Sequence, residues 1–182
     1  MSVRLEPLAL RHAAAYQALA ADARVAATTL VPHPYPPDGA VRHVRCAVGA
    51  RDRDEAYSFA VIEGGNGQAG GVETVVGSCS LKHVDREAGQ AEVGYWIGVP
   101  FWGRGYATEA VRLAARVAFD ELGLDRVVAE VLETNPASAR VLEKAGFDVV
   151  GRFANPHARY LGAPTVLYDL ARPAHVRLAR TD

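Results

Sequence analysis

Disulfide chemistry has almost nothing to work with in this chain: Cys46 and Cys79 are its only cysteines, too few for a framework and not in a Cys-x-x-Cys arrangement. A reducing, cytoplasmic setting suits them. One falls in an expected helix and the other in an expected strand. Neither has an adjacent His–Asp pairing that would make it a covalent nucleophile, so both read as small core residues. An excess of positive charge is also missing. The 20 Lys and Arg face 21 Asp and Glu, and a formal net charge of -1 gives no field that would draw the protein onto nucleic acid. Lysine is confined to Lys82 and Lys144, which leaves any phosphate contact to arginine forks or backbone amides. The alanine-rich stretch from Leu8 to Val31 holds no membrane-compatible run, because Arg11, His12, Asp22 and Arg24 interrupt it, and it reads as mature structure. The 6 histidines show no paired metal spacing, so no metal is expected.

What is present is an ordinary globular composition, 49% hydrophobic and 23% charged over 182 residues, long enough to close a core as one domain over 1–182. Val3 to Glu6 alternates and stops at Pro7, which predicts a first strand; Arg11 to about Ala21 predicts a helix. The prolines of Val31-Pro32-His33-Pro34-Tyr35-Pro36-Pro37 exclude helix there and predict a stiff loop. Asp38 then stands as the expected N-cap of a second helix, with Val41, Val44 and Val48 on its faces. Strands follow at Ala56–Glu63 and Thr74–Val84, joined by the glycine-rich connection from Gly64 to Gly71. A fourth strand is expected at Gln90–Ile97, a helix from Gly105 to about Leu122, and a strand at Arg126–Leu132. A helix capped by Asn135 with Pro136 at its first position should end at Gly146, before strands near Asp148–Ala154 and Thr165–Ala171. Arg172, Arg177 and Arg180 read as a solvated basic tail.

Chemistry concentrates in the segment from Glu92 to Ala110, a strand, a glycine-rich turn and a helix start. Gly103, Gly105 and the small Ala107 let a ligand approach the backbone, and the first-turn amides of the helix present the positive end of its dipole, so an anionic diphosphate fits there. A dinucleotide fingerprint fails because Thr108 stands near where the third glycine belongs, and a Walker loop fails for want of a lysine.

These residues resemble the coenzyme A loop of the GNAT acetyltransferase superfamily, whose pattern is Gln/Arg-x-x-Gly-x-Gly/Ala. Gly105 and Ala107 match it, while Trp102 stands where Gln or Arg is usual. The run Trp102 to Ala110 is similar to the ribosomal-protein N-terminal acetyltransferase (Rim) branch. So is Asn135 to Phe147, which matches that branch's Asn-x-x-Ser-x-x-Val-Leu-Glu-Lys-x-Gly-Phe. The likeness takes in Val-Pro-His-Pro-Tyr and leaves out the Gly64–Gly71 insert and the tail.

The resemblance implies an α/β fold of the α+β kind: a mixed, mostly antiparallel sheet of about seven strands with about four helices, and a splayed strand pair at the cofactor site. It implies acetyl-CoA as co-substrate, with backbone amides of Arg104, Gly105, Tyr106, Ala107 and Thr108 on the pyrophosphate. Ile97, Gly98 and Val99 would pair with the pantetheine arm, and Asn135 would orient the cofactor. Trp96, His33 and Tyr35 would line the acceptor side. The expected partner is an amine acceptor, with no nucleic acid or membrane, and a homodimer is left open. A protein N-terminal α-amine, with a pKa of about 8, asks less of a base than a lysine at about 10.4. Small-molecule amines (polyamine, antibiotic or amino acid) and a non-catalytic acyl-CoA-binding module are the alternatives.

Glu92 is the expected base, against the plainer reading of a strand carboxylate in an ion pair. Many family members protonate the leaving thiolate with a tyrosine seven residues after the motif asparagine. That position is Leu142 here, and Ser138 is the expected substitute, against a helix serine bonding back along its own turn.

Overall fold

The structure, a computed structural model, describes residues 2–64 and 73–173. The expected hairpin connection beyond Gly64 and the tail arginines Arg177 and Arg180 lie outside the described residues. Seven strands form one sheet: β1 (Val3–Pro7), β2 (Tyr57–Glu63), β3 (Thr74–Asp85), β4 (Gln90–Ile97), β5 (Arg126–Leu132), β6 (Asp148–Ala154) and β7 (Pro164–Ala171). Their order is β1-β2-β3-β4-β5-β7-β6. Every neighbouring pair is antiparallel except β4 with β5. The helices are α1 (Ala13–Ala20), the single turn α2 (Ala23–Ala26), α3 (Gly39–Asp52), α4 (Tyr106–Arg116) and α5 (Pro136–Ala145).

The two faces of the sheet bury different helices. Tyr106, Ala110, Val111, Ala114 and Ala115 make a continuous stripe along α4 because they recur at helical spacing, and they close the larger core with Val76, Leu81, Val93, Val127 and Leu142. A fully buried side chain such as Val111 contributes about 2 kcal/mol of transfer free energy there. The opposite face packs Tyr16 and Ala20 of α1 and Val44 and Ala47 of α3 against Ala60 and Ile62. α4 runs on through one wide turn in which Leu122 N–H donates to Val117 O, so its expected end near Leu122 holds with looser winding.

Two local readings change. Asp38 precedes α3 but its side chain makes no cap hydrogen bond; the carboxylate pairs with Arg42 at 3.2 Å, one turn on. Cys46 is exposed, because α3 turns Val44 and Ala47 inward and the two residues between them, Arg45 and Cys46, outward; Cys79 is buried as expected. The proline-rich segment is irregular and contains a cis peptide bond between His33 and Pro34. Among the described residues no helix is long and apolar enough to cross a membrane.

Glu6 ties β1 to the turn at Leu10–His12. It takes Arg4 at 2.6 Å and Arg11 at 2.8 Å. His12 joins them with its proton on Nε2, since Nδ1 accepts from Ala9 N–H, and it donates to Glu6 at 3.3 Å. The arginines hold the Glu6 carboxyl at about 2, below its ordinary 4.5. A depressed carboxylate stabilises the fold above its unfolded pKa, and that stability is lost as pH falls through the folded one. Glu6→Gln should therefore melt lower than the parent at pH 7, with the gap closing between about pH 5 and about pH 2, read by thermal melts across that range.

Candidate active site

The parallel pairing of β4 with β5 consists of Gln90↔Arg126, Ala91↔Val127 and Glu92↔Val128, and no more. Beyond Glu92 the strands part, while β4 stays paired to β3 as far as Ile97 opposite Gly77. Gly77 permits that close approach: a Cβ there would lie 2.2 Å from Trp96 O. The splayed pair is thus present where it was expected. It opens into a cavity of about 1150 Å³, large for a small-molecule pocket, that runs from the start of α4 across the gap to the face covered by α1 and α3.

At one end, Gly105 precedes α4 at φ 79 and ψ 0, and no heavy atom lies within 4 Å of where its Cβ would be. A left-handed residue without a side chain leaves the first turn of α4 uncapped, so its N–H groups face the cavity with the helix dipole behind them. Gly103, Arg104, Gly105, Tyr106, Ala107 and Thr108 all line the cavity. The side chain of Tyr106 is buried and bonds Glu63, which also meets Arg104 at 3.6 Å, so its hydroxyl is committed within the chain. Trp102, at the motif's Gln/Arg position, turns back and donates from Nε1 to Ile97 O at 2.6 Å, giving that carbonyl a partner within the chain. Ile97 lines the cavity; Gly98 and Val99 are not among its lining residues, because the chain turns away there into a short 3-10 turn at Val99–Phe101.

In the middle, Asn135 caps α5 by accepting from Ser138 N–H at 3.1 Å, which commits its side-chain oxygen and leaves its amide nitrogen for any cofactor contact. Ser138 Oγ meets the Tyr95 hydroxyl at 2.8 Å across the gap instead of bonding back along its own turn. Leu142 is fully buried in the larger core, so the place of the usual tyrosine points away from the gap.

At the far end, Glu92 shares its face of β4 with Gly94 and Trp96. It is held by Lys82 at 2.7 Å and His83 at 3.0 Å. Neighbours in a strand normally point to opposite faces; here the register shifts after Lys82 and His83 takes φ 50, so both reach one carboxylate. Glu130, on the stretch of β5 that has parted from β4, lines the same space. Desolvation and the adjacent charge of Glu92 raise its carboxyl above the usual range. Trp96 packs edge-on against Tyr16, with ring centres 4.9 Å apart, and Tyr35 lies 6.4 Å from Tyr16. Tyr35 and Trp96 line the cavity; His33 is exposed and does not, since the loop turns it to solvent.

Sequence reasoning missed Tyr16, Glu130 and Tyr95, and the roof of this end. In the β6–β7 connection Arg159 donates to Val31 O at 2.9 Å and Ala26 O at 2.7 Å, and Tyr160 to Thr29 O at 2.6 Å. Alternation along β5 would have found Glu130, on the face of Val128; the roof joins residues more than 120 positions apart and leaves no local signal. Among the described residues no group of three or more His, Cys, Asp or Glu could hold a metal ion. Cys79 is an unsuitable nucleophile: burial pushes its thiol up to about 12.

A parted parallel pair beside a glycine-opened helix start defines a class, and the family model described as acetyltransferase (GNAT) domain matches residues 2–148. The chain belongs to the GNAT acetyltransferase family. An uncharacterized N-acetyltransferase, p20, of Bacillus licheniformis is 37% identical over 79 residues, 43% of this chain and 44% of that protein. YjcK of Bacillus subtilis, described as a probable N-acetyltransferase, is 40% identical over 101 residues, 55% of this chain and 52% of its own length. The chain thus spans about half the length of the curated relatives it matches. Among solved structures, the microcin C7 self-immunity acetyltransferase MccE, in complex with acetyl-CoA and AMP, superposes with TM-score 0.79 at 17% identity over 94% of this chain and 93% of that one. RimL, the ribosomal L7/L12 α-N-protein acetyltransferase with coenzyme A, gives 0.78 at 16% identity over 94% of each chain. Spermidine N-acetyltransferase of Vibrio cholerae, with CoA and spermine, gives 0.77 at 15% identity over 93% of this chain and 95% of that one. These likenesses establish the fold.

Proposed function

We propose that this chain transfers an acetyl group directly from acetyl-CoA to an amine, and that the amine is a protein N-terminal α-amine of the ribosomal-protein type. The observation that carries the reading is the parting of β4 from β5 beside the uncapped start of α4. The residues present fit the cofactor: first-turn amides from Gly105 to Thr108 suit a diphosphate, and Arg104, Arg140 and Lys144 line the cavity and add cations for phosphate. When bound, acetyl-CoA supplies an activated acyl group on a thiol leaving group.

The charge lining supports the α-amine over a polyamine. A polycation would need converging carboxylates, yet Asp38 is paired with Arg42, Glu63 with Arg104 and Asp169 with Arg126. Among the described residues only Glu92 and Glu130 bring acidic charge to the cavity, with Lys82 paired to Glu92 and Arg140 and Lys144 also lining it; Arg24 and Arg104 are paired to Asp22 and Glu63. The two matching motifs, Trp102–Ala110 and Asn135–Phe147, support the Rim branch. Acetyl-CoA consumption measured against peptides with free N-termini, spermidine and an aminoglycoside tests this. Turnover on peptides is expected; turnover on spermidine alone would overturn the acceptor, and coenzyme A binding without turnover on any amine would make the chain a binding module.

In this reading Glu92 accepts the amine's proton through water, Lys82 and His83 fix its orientation, and Ser138 Oγ–H donates to the leaving sulfur. A second reading rests on Glu130, which lines the same cavity and whose carboxyl is raised by desolvation and by the nearby charge of Glu92. Glu92→Gln is expected to lower kcat/KM for peptide about 100-fold at neutral pH, and Glu130→Gln less than about 5-fold. The reverse ranking would move the base to Glu130.

A further inference from the structure

We propose that Tyr95 is a positioning residue that acts through Ser138: its hydroxyl donates to Ser138 Oγ, so that the serine's own O–H is aimed into the gap at the leaving sulfur. The inference rests on the reading of Ser138 as the donor to that sulfur.

Tyr95 lies on β4 three residues past the last rung shared with β5, in the parted stretch, and lines the cavity together with Ser138. Its hydroxyl has two acceptors in reach, Ser138 Oγ at 2.8 Å and Ser138 O at 3.2 Å. The phenol has a single proton. Ser138 lies in the first turn of α5, and its carbonyl is the acceptor for the N–H of Leu142 four residues on, so the shorter contact to Oγ is the better use of that proton. With Oγ acting as acceptor, the serine hydrogen is free to rotate toward a second partner, and the gap is where such a partner sits. Burial raises the phenol well above its ordinary value, so Tyr95 remains a neutral donor throughout the working pH range. The arrangement also explains how the chain manages with Leu142 in the core. A tyrosine is present at the gap, delivered by the strand instead of the helix, one hydroxyl further from the sulfur.

Equilibrium titration of the bound thiol tests the proposal apart from turnover. The parent, Tyr95→Phe, Ser138→Ala and the double variant are each saturated with coenzyme A, affinity is measured by calorimetry, and the thiolate is followed by its ultraviolet absorbance against pH. A donor aimed at sulfur favours the thiolate, so the bound thiol in the parent should titrate below free coenzyme A. Tyr95→Phe and Ser138→Ala should each raise it by about one unit, with coenzyme A affinity at pH 7 changed less than about threefold. The double variant should match Ser138→Ala, because one hydroxyl works through the other. If Ser138→Ala shifts the titration and Tyr95→Phe does not, Ser138 keeps its role and the proposal for Tyr95 falls. Shifts that add in the double variant would also overturn it, as would a shift in Tyr95→Phe alone. If Ser138→Ala leaves the titration where it was, the reading of Ser138 falls and takes this proposal with it.

Discussion

Gly105→Val should weaken coenzyme A binding by at least about 30-fold by calorimetry while the protein stays folded. Two costs combine. A β-branched residue at φ 79 is a backbone outlier, worth roughly 1–3 kcal/mol. The space around the glycine contains no protein atom within 4 Å of the would-be Cβ, so the new side chain meets no neighbour and instead fills the volume a diphosphate needs. Gly105→Asn separates the two, since asparagine tolerates the left-handed region at little cost yet still occupies the space. It should be nearly as stable as the parent and still bind poorly. Parental affinity in Gly105→Val would show that the cofactor's phosphates sit elsewhere.

Leu142→Tyr, which puts back the residue many family members use, should gain no activity and should destabilise the fold. The side chain of Leu142 is fully buried in the core between α4, α5 and the sheet. The larger ring overpacks that site, at about 1–3 kcal/mol, and its hydroxyl adds roughly 1–3 kcal/mol if it is left without a partner. For a chain of this length a melting temperature lower by roughly 5–15 °C follows, measured by calorimetric scanning beside a turnover assay. A stable and faster Leu142→Tyr would mean that α5 can turn this position toward the gap, and the hydroxyl pair at Tyr95 and Ser138 would lose its reason.

The order of elements was legible because it depends on local chemistry. β4 and β5 have the expected bounds, and Asn135, Pro136 and Gly146 start and end α5 as cap, first residue and left-handed terminus. The glycine turn before α4 was readable for the same reason. What escaped depends on contacts between distant segments. Nothing in the vicinity of Ser138 announces that Tyr95, 43 positions away, bonds it. Nothing near Glu92 says that a shift in β3 brings a lysine and a histidine onto one carboxylate. Cys46 and His33 were misjudged because helix rotation and loop direction are set by packing, which patterns of apolar spacing describe only loosely.

The short seam between β4 and β5 has one more consequence. Strands that lack a neighbour are ordinarily a hazard, since their bare amides and carbonyls can recruit any extended chain that drifts past. Here the two unmatched margins face each other across a cavity that Thr29, Val31 and Tyr160 also line, and neither lies at an outer edge of the sheet. Stickiness that would cause aggregation on the outside is reserved for something slender enough to thread the slot.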